Sequence, residues 1–212
     1  MTVDDRLLLL DLDRTLLDTD RFLAAASAAF DPRRPERLAE ALAASQRGAA
    51  TTHRHDLAAA AALLDVDVDA VFARVVAGVQ GTPGLLYPDA DTLLARARAR
   101  GHTAILTIGD PHWQTTKLVC TGLAGVFPYT VVDVAKRDAV AALWPDRRGW
   151  LVDDKPDQRL PDGWTEVWLD RGGAGTDRAG VRRIRNLHQV PAATFTHPHP
   201  PAARRRPHAV TR

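Results

Sequence analysis

The stretch "LLLLDLDRTLLD", residues 7–18, constrains this chain more than any other: four leucines run straight into Asp11, Asp13 and Asp18, with Thr15 among them. Side chains alternate faces along a strand, but where a strand ends and the chain turns, alternate residues can converge on one spot. Asp11 and Asp13 are then two negative charges brought together, and they repel unless something positive sits between them.

The rest of the chain supplies more strands of the same kind. Beyond a first strand at about 7–12, short apolar runs at 103–106, 129–132, 150–152 and 166–169 read as strands. Between them lie helical patterns at about 112–121 and 137–144, and at 88–101, where Pro88 and Asp89 open the helix and Gly101 closes it. Alternating strands and helices imply a mostly parallel sheet covered on both faces, a Rossmann-like α/β core. Residues 20–80 show no strand-like alternation and much alanine, with helical runs at 22–30, 35–46, 55–64 and 69–77. We therefore divide the chain into an α/β core (1–18 and 82–190), a helical insert (19–81) and a tail from Pro191 to Arg212, rich in Pro, Arg and His, that reads as disordered.

Ligands of such sheets bind beyond the carboxyl ends of the strands. Four polar clusters fall there: Asp11, Asp13 and Thr15 after the first strand, Thr107 after the second, Lys136 beyond the third, and Asp153 with Asp154 after "GWLV". Several ionised carboxylates sharing a pocket call for a divalent cation, and an all-oxygen set favours Mg²⁺ over zinc. A cation ringed by acids, with a hydroxyl and an ammonium, makes a receptor for a tetrahedral phosphoryl group. One carboxylate can attack phosphorus while another donates a proton to the leaving oxygen.

Composition narrows the remaining classes. With 212 residues, 45% of them hydrophobic, the chain can bury a sizeable core. It has no run of about 18 apolar residues and begins with acids at Asp4 and Asp5, so a cytoplasmic protein with no membrane association is expected. The one cysteine, Cys120, is read as structural, which leaves redox chemistry unsupported. Arginines at 204–206 raise the question of nucleic acid; we read them as a solvated tail. Of the 28 basic residues only Lys117, Lys136 and Lys155 are lysines. Lys136, 17 residues before Asp153, is assigned to phosphate; Lys155 is read as a surface or supporting charge and Lys117 as solvated. Asp110 is read as the cap of the next helix, His53–His55 as an exposed loop, and most of the five tryptophans as packing.

Taken together, Asp-x-Asp-x-Thr after an apolar strand, Thr after a second, a lysine, and then "LVDD" resemble the haloacid dehalogenase-like hydrolases, in order and spacing over residues 5–170. The resemblance implies that Asp11 is a nucleophile forming an aspartyl-phosphate. It implies that Asp13 is the general acid and base and lends its backbone carbonyl to Mg²⁺. Thr107, Lys136 and Thr15 would hold the phosphate, and Asp153 and Asp154 would complete the metal site with Asp11 and Asp13. The insert lies where that family places a helical cap. Arg14, Ile108 and Gln158 depart from the family's usual residues, with Asp157 one place early for the further acid. A haloacid dehalogenase lacks the second acid, so Asp13 points to a phosphatase; a phosphonate-cleaving relative uses a cap lysine, and residues 19–80 contain none. The expected function is a Mg²⁺-dependent phosphomonoester hydrolase acting on a small phosphorylated metabolite. The alternatives are a non-catalytic binding or regulatory protein and a nucleic-acid end phosphatase.

Overall fold

The computed structural model describes residues 6–46 and 55–195. Strand β1 (Leu7–Leu10) lies near the middle of the sheet, and its leucines divide between two apolar clusters: Leu8 and Leu10 in one, Leu9 in the other. Both faces are thus covered, which is why an uninterrupted leucine run forms a strand here.

The partners of β1 are β2 (Thr103–Ile108) and β4 (Gly149–Asp153), with Leu10 in register with Ile105 and Val152. Outward from them lie β3 (Tyr129–Val132) on one side, and β5 (Trp164–Leu169) and β6 (Val181–Ile184) on the other. Among the described residues the sheet has six strands in the order β3-β2-β1-β4-β5-β6, every pairing parallel. The order reverses at β1, so the crevice at the carboxyl ends of β1, β2 and β4 is the switch point of an open α/β sheet. The chain is a Rossmann-like α/β protein.

Strand β1 stops at Leu10, short of the expected Leu12, because the chain turns at the acids: Arg14 adopts φ 60°, a left-handed conformation. Strand β6 was not expected. Its sequence VRRI has two apolar residues, of which only Ile184 is buried, and one of its arginines, Arg183, is bound to Asp170 at 2.6 Å.

Among the described residues, four helices lie between β1 and residue 80: α1 (Thr19–Phe30), α2 (Glu36–Ala44), α3 (Leu57–Leu63) and α4 (Val68–Val79). Asp18 caps α1 by accepting from the Arg21 amide at 3.1 Å. Helices α1 and α4 approach closely; a β-carbon on Gly78 would lie 2.5 Å from that of Ala29. The strands of chain entering and leaving this insert pair with each other: the Asp18 amide donates to Leu85 O and the Tyr87 amide to Leu16 O, both at 2.9 Å. Buried residues of the insert, among them Leu38, Leu57 and Val71, join the same cluster as Leu8 and Leu10.

Helix α5 (Ala90–Arg100) ends at Gly101, with φ 82°, and α6 (Pro111–Cys120) and α7 (Lys136–Leu143) return the chain to the sheet. Asp110 caps α6, accepting from the Trp113 amide at 2.8 Å, as expected. Trp113, Trp150 and Trp168 are buried. Packing runs past the expected boundary at Pro191. Residues Ala192–Thr194 form a 3-10 turn, and Phe195 offers its ring to the Arg96 guanidinium at 3.8 Å. The rest of the tail, 196–212, lies outside the described residues, as do Met1–Asp5 and 47–54. No described helix is long and apolar enough to cross a membrane.

Candidate active site

The site is assembled where strands end. Asp11 directly follows β1, Thr107 is the penultimate residue of β2, Lys136 opens α7 just after β3, and Asp153 ends β4 with Asp154 next. All five line one cavity of about 270 Å³, together with Asp13, Arg14, His55, Gln114 and Lys117.

The Lys136 ammonium, buried to 3% exposure, bridges two acids: it donates to Asp11 Oδ1 and, at 2.5 Å, to Asp153 Oδ2. Thr15 Oγ1 donates to the other Asp11 oxygen at 2.9 Å, and the Lys155 amide to Asp153 Oδ1 at 2.8 Å. Asp11, Asp153 and Asp154 each offer one oxygen, all within 4.8 Å of one another. Lys136 therefore offsets part of the repulsion expected from the sequence without any metal. Within the buried cluster one ammonium still faces three carboxylates, with Lys155 and Arg14 adding a weaker pull on Asp154 from the rim. Burial, then the neighbouring acids Asp153 and Asp154, push the Asp11 carboxyl up to about 7 against the pull of Lys136. Burial and Asp153 likewise push Asp154 up to about 6. Burial opposes the charged form of Lys136, but Asp11 and Asp153 outweigh it and hold the ammonium above its ordinary range. This residual negative charge on an all-oxygen donor set fits a hard divalent cation such as Mg²⁺.

Thr107 Oγ1 is buried and has no hydrogen-bond partner. A buried hydroxyl left unpaired costs free energy unless a ligand completes it. It lines the cavity beside Asp11 and Lys136, where an oxygen-bearing anion would satisfy it.

Asp13 belongs to a separate arrangement. Its carboxylate receives Lys117 Nζ at 2.7 and 2.8 Å, Gln114 Nε2 at 2.9 Å and Thr19 Oγ1 at 2.9 Å. Burial alone would raise this carboxyl; the charge of Lys117 and the bonds from Lys117, Gln114 and Thr19 hold it below its ordinary range. Gln114 is fixed in turn by donating to Ile108 O at 2.8 Å, and Gly109 makes room for it. A β-carbon there would lie 2.5 Å from Gln114 Nε2, and φ is +154°.

The family model for haloacid dehalogenase-like hydrolases matches residues 6–149. The chain belongs to this family. No curated protein matches it. Among solved structures, a protein of Burkholderia xenovorans described as a haloacid dehalogenase-like hydrolase aligns with a TM-score of 0.59 at 23% identity, over 86% of this chain and 93% of that one. The hydrolase YfnB of Bacillus subtilis, in a magnesium-bound structure, aligns with a TM-score of 0.54 at 17% identity, over 88% and 96%. CbbY of Rhodobacter sphaeroides, in complex with xylulose-1,5-bisphosphate, aligns with a TM-score of 0.51 at 17% identity, over 90% and 99%. Other chains of this fold are described as dehalogenases. Likeness at these identities is likeness of fold.

In this haloacid dehalogenase-like hydrolase the structure brings together Asp11, Asp13, Thr107, Lys136, Asp153 and Asp154. Thr15 differs from expectation. It is fully buried and its hydroxyl goes to Asp11, so it braces the carboxylate and is not among the residues lining the cavity. The Asp13 side chain stands outside the acidic trio, because Lys117 claims its carboxylate. Lys117, expected in solvent, is buried, and its signal in the chain was the i, i+3 spacing with Gln114 on one side of α6. His55, expected in an exposed loop, is partly buried and lines the cavity, its Nδ1 3.0 Å from Leu42 O; His53 and Arg54 lie outside the described residues. Lys155 is exposed at the rim, as expected.

Proposed function

We propose that this hydrolase cleaves phosphomonoesters of small metabolites through an aspartyl-phosphate on Asp11, with Mg²⁺ held by Asp11, Asp153 and Asp154 and by the Asp13 backbone carbonyl. The observation that carries this reading is the unpartnered Thr107 hydroxyl facing the same cavity as the Lys136 ammonium and the Asp11 carboxylate. Hydroxyl and ammonium are donors for phosphoryl oxygens, and the carboxylate is the group to attack between them. Bound there, the cation would neutralise charge on the acids and on the phosphoryl oxygens.

An Asp11 oxygen bonds to phosphorus as the ester oxygen leaves, and Asp13 passes to that oxygen the proton it takes up from water in the other half of the cycle. Water then attacks the aspartyl-phosphate, Asp13 takes a proton from that water, and the Asp11 oxygen departs from phosphorus as phosphate forms. Thr15 and Lys136, each holding one Asp11 oxygen, keep the carboxylate aimed. The presence of Asp13 separates this reading from dehalogenation, whose leaving halide needs no proton. The helices between β1 and α5, with His55 at the cavity, act as the cap and exclude large ligands. The sugar bisphosphate bound by CbbY is of the substrate class we expect.

The test is phosphate release from p-nitrophenyl phosphate and a panel of sugar and nucleoside phosphates, with Mg²⁺ and with chelator. We expect Mg²⁺-dependent turnover that Asp11→Asn abolishes. Halide release from 2-haloacids by a protein inert toward every phosphate ester would overturn the reading, as would inertness toward both.

A further inference from the structure

Lys117 is the buried charge that the mechanism above leaves without a task. Its ammonium sits at 3% exposure and grips both oxygens of Asp13, a residue 104 positions earlier in the chain. A buried ion pair is weak evidence for stability, since desolvation offsets much of the attraction. The placement matters more. Lys117 and Gln114 approach Asp13 from α6 and are both buried, whereas the Asp13 side chain keeps 27% exposure where it lines the cavity. The two buried donors grip the carboxylate from the α6 side and leave the remainder of it open. Thr19, the third donor, is partly exposed, so its contact is the one a water can replace. Gln114 is anchored to Ile108 O, at the end of β2, so the pair refers Asp13 to the same strand that carries Thr107.

We propose that Lys117, seconded by Gln114, is a positioning residue that aims Asp13 at the water hydrolysing the aspartyl-phosphate, an inference resting on the phosphatase reading above. In that step the water oxygen bonds to phosphorus, its proton passes to an Asp13 oxygen, and the bond from the Asp11 oxygen to phosphorus breaks. The nitrophenolate of p-nitrophenyl phosphate departs without a proton, so formation of the aspartyl-phosphate does not need an aimed Asp13.

Lys117→Met, Lys117→Arg and Gln114→Leu would be mixed rapidly with p-nitrophenyl phosphate and Mg²⁺, with Asp11→Asn as the inert control. For Lys117→Met we expect a burst of about one nitrophenolate per protein, then a kcat about 100-fold below wild type. KM falls in parallel, so kcat/KM stays within about threefold of wild type. Lys117→Arg restores part of kcat, and Gln114→Leu shows the same split more weakly, which keeps the test alive should Lys117→Met fail to fold. Loss of kcat and kcat/KM together with no burst, or kinetics equal to wild type, would overturn the role of Lys117 while leaving the phosphatase reading intact. A wild-type protein inert toward aryl, sugar and nucleoside phosphates alike, or an Asp11→Asn variant as active as wild type, would overturn both.

Discussion

Replacing Lys136 by methionine tests the electrostatics of the site directly. The ammonium is buried between Asp11 and Asp153, and methionine keeps its volume while removing the charge. Removing one partner of a buried pair costs about 3–5 kcal/mol, because the remaining charge is left uncompensated. At about 2–4 °C per kcal/mol for a chain of this size, Tm in metal-free buffer near neutral pH falls by roughly 6–20 °C. The cost depends on pH in a direction the structure dictates. Asp11, raised to about 7, and Asp154, raised to about 6, bind protons in the folded protein that they lack when unfolded. From their ordinary value of 3.8 up to those values, stability conferred by that proton binding is lost as pH rises. The variant lacks the cation that restrains this, so its deficit is larger at about pH 8 than at about pH 5, where protonated carboxyls no longer repel. Lys136 itself contributes nothing to the difference: its raised value keeps it charged throughout this range. Millimolar Mg²⁺ should recover part of the loss at the higher pH. Thermal unfolding of both proteins at the two pH values decides the matter. Equal deficits at both, or a deficit under about 1 kcal/mol at the higher pH, would refute the account of Lys136 as the charge holding the acids together.

Three further outcomes are expected. In the wild-type protein, the rise in Tm produced by Mg²⁺ should be greater at about pH 8 than at about pH 5, because the cation must displace protons from Asp11 and Asp154 at the lower pH; a shift independent of pH would count against a metal on these acids. Arg171→Leu removes the paired bonds to Asp89, 2.9 Å each, and the bond to Thr15 O at 3.0 Å, and should lower the urea midpoint by an amount worth about 2 kcal/mol. Because Thr15 braces Asp11, kcat should fall with it. Gly109→Ala places a β-carbon 2.5 Å from Gln114 Nε2 at a φ of +154°, and should reduce kcat about tenfold by displacing Gln114 from Asp13, with a loss of Tm, from the strained backbone, below that of Lys136→Met.

How far the chain disclosed its structure depended on whether one segment alone carried the information. The leucine run of β1 is apolar on both sides, and a run this short that ends in turn-forming acids reads as a strand buried on both faces. Gly101 closes α5 through its own backbone, and Asp110 caps α6 through a residue three places on. These local causes were legible, and so was the rim, since every parallel strand delivers its last residues to the same end of the sheet. Strand β6 was hidden because VRRI pairs with β5 and buries Ile184 only once the sheet is assembled, and Arg183 meets Asp170 and Asp177 only in the folded chain. Thr15 and Lys117 were misplaced for a related reason. A polar residue near a cluster of acids reads as a ligand, and a lysine on a helix reads as solvated, until the fold decides which carboxylate each one meets. Lys117 finds its partner across 104 residues, so no window of sequence contains the pair. What the helix did contain was Gln114 and Lys117 three apart beside Trp113 and Leu118, two polar side chains on a buried face. A charge there is tolerated only with a partner of opposite sign, and the acids of the rim were the partners within reach.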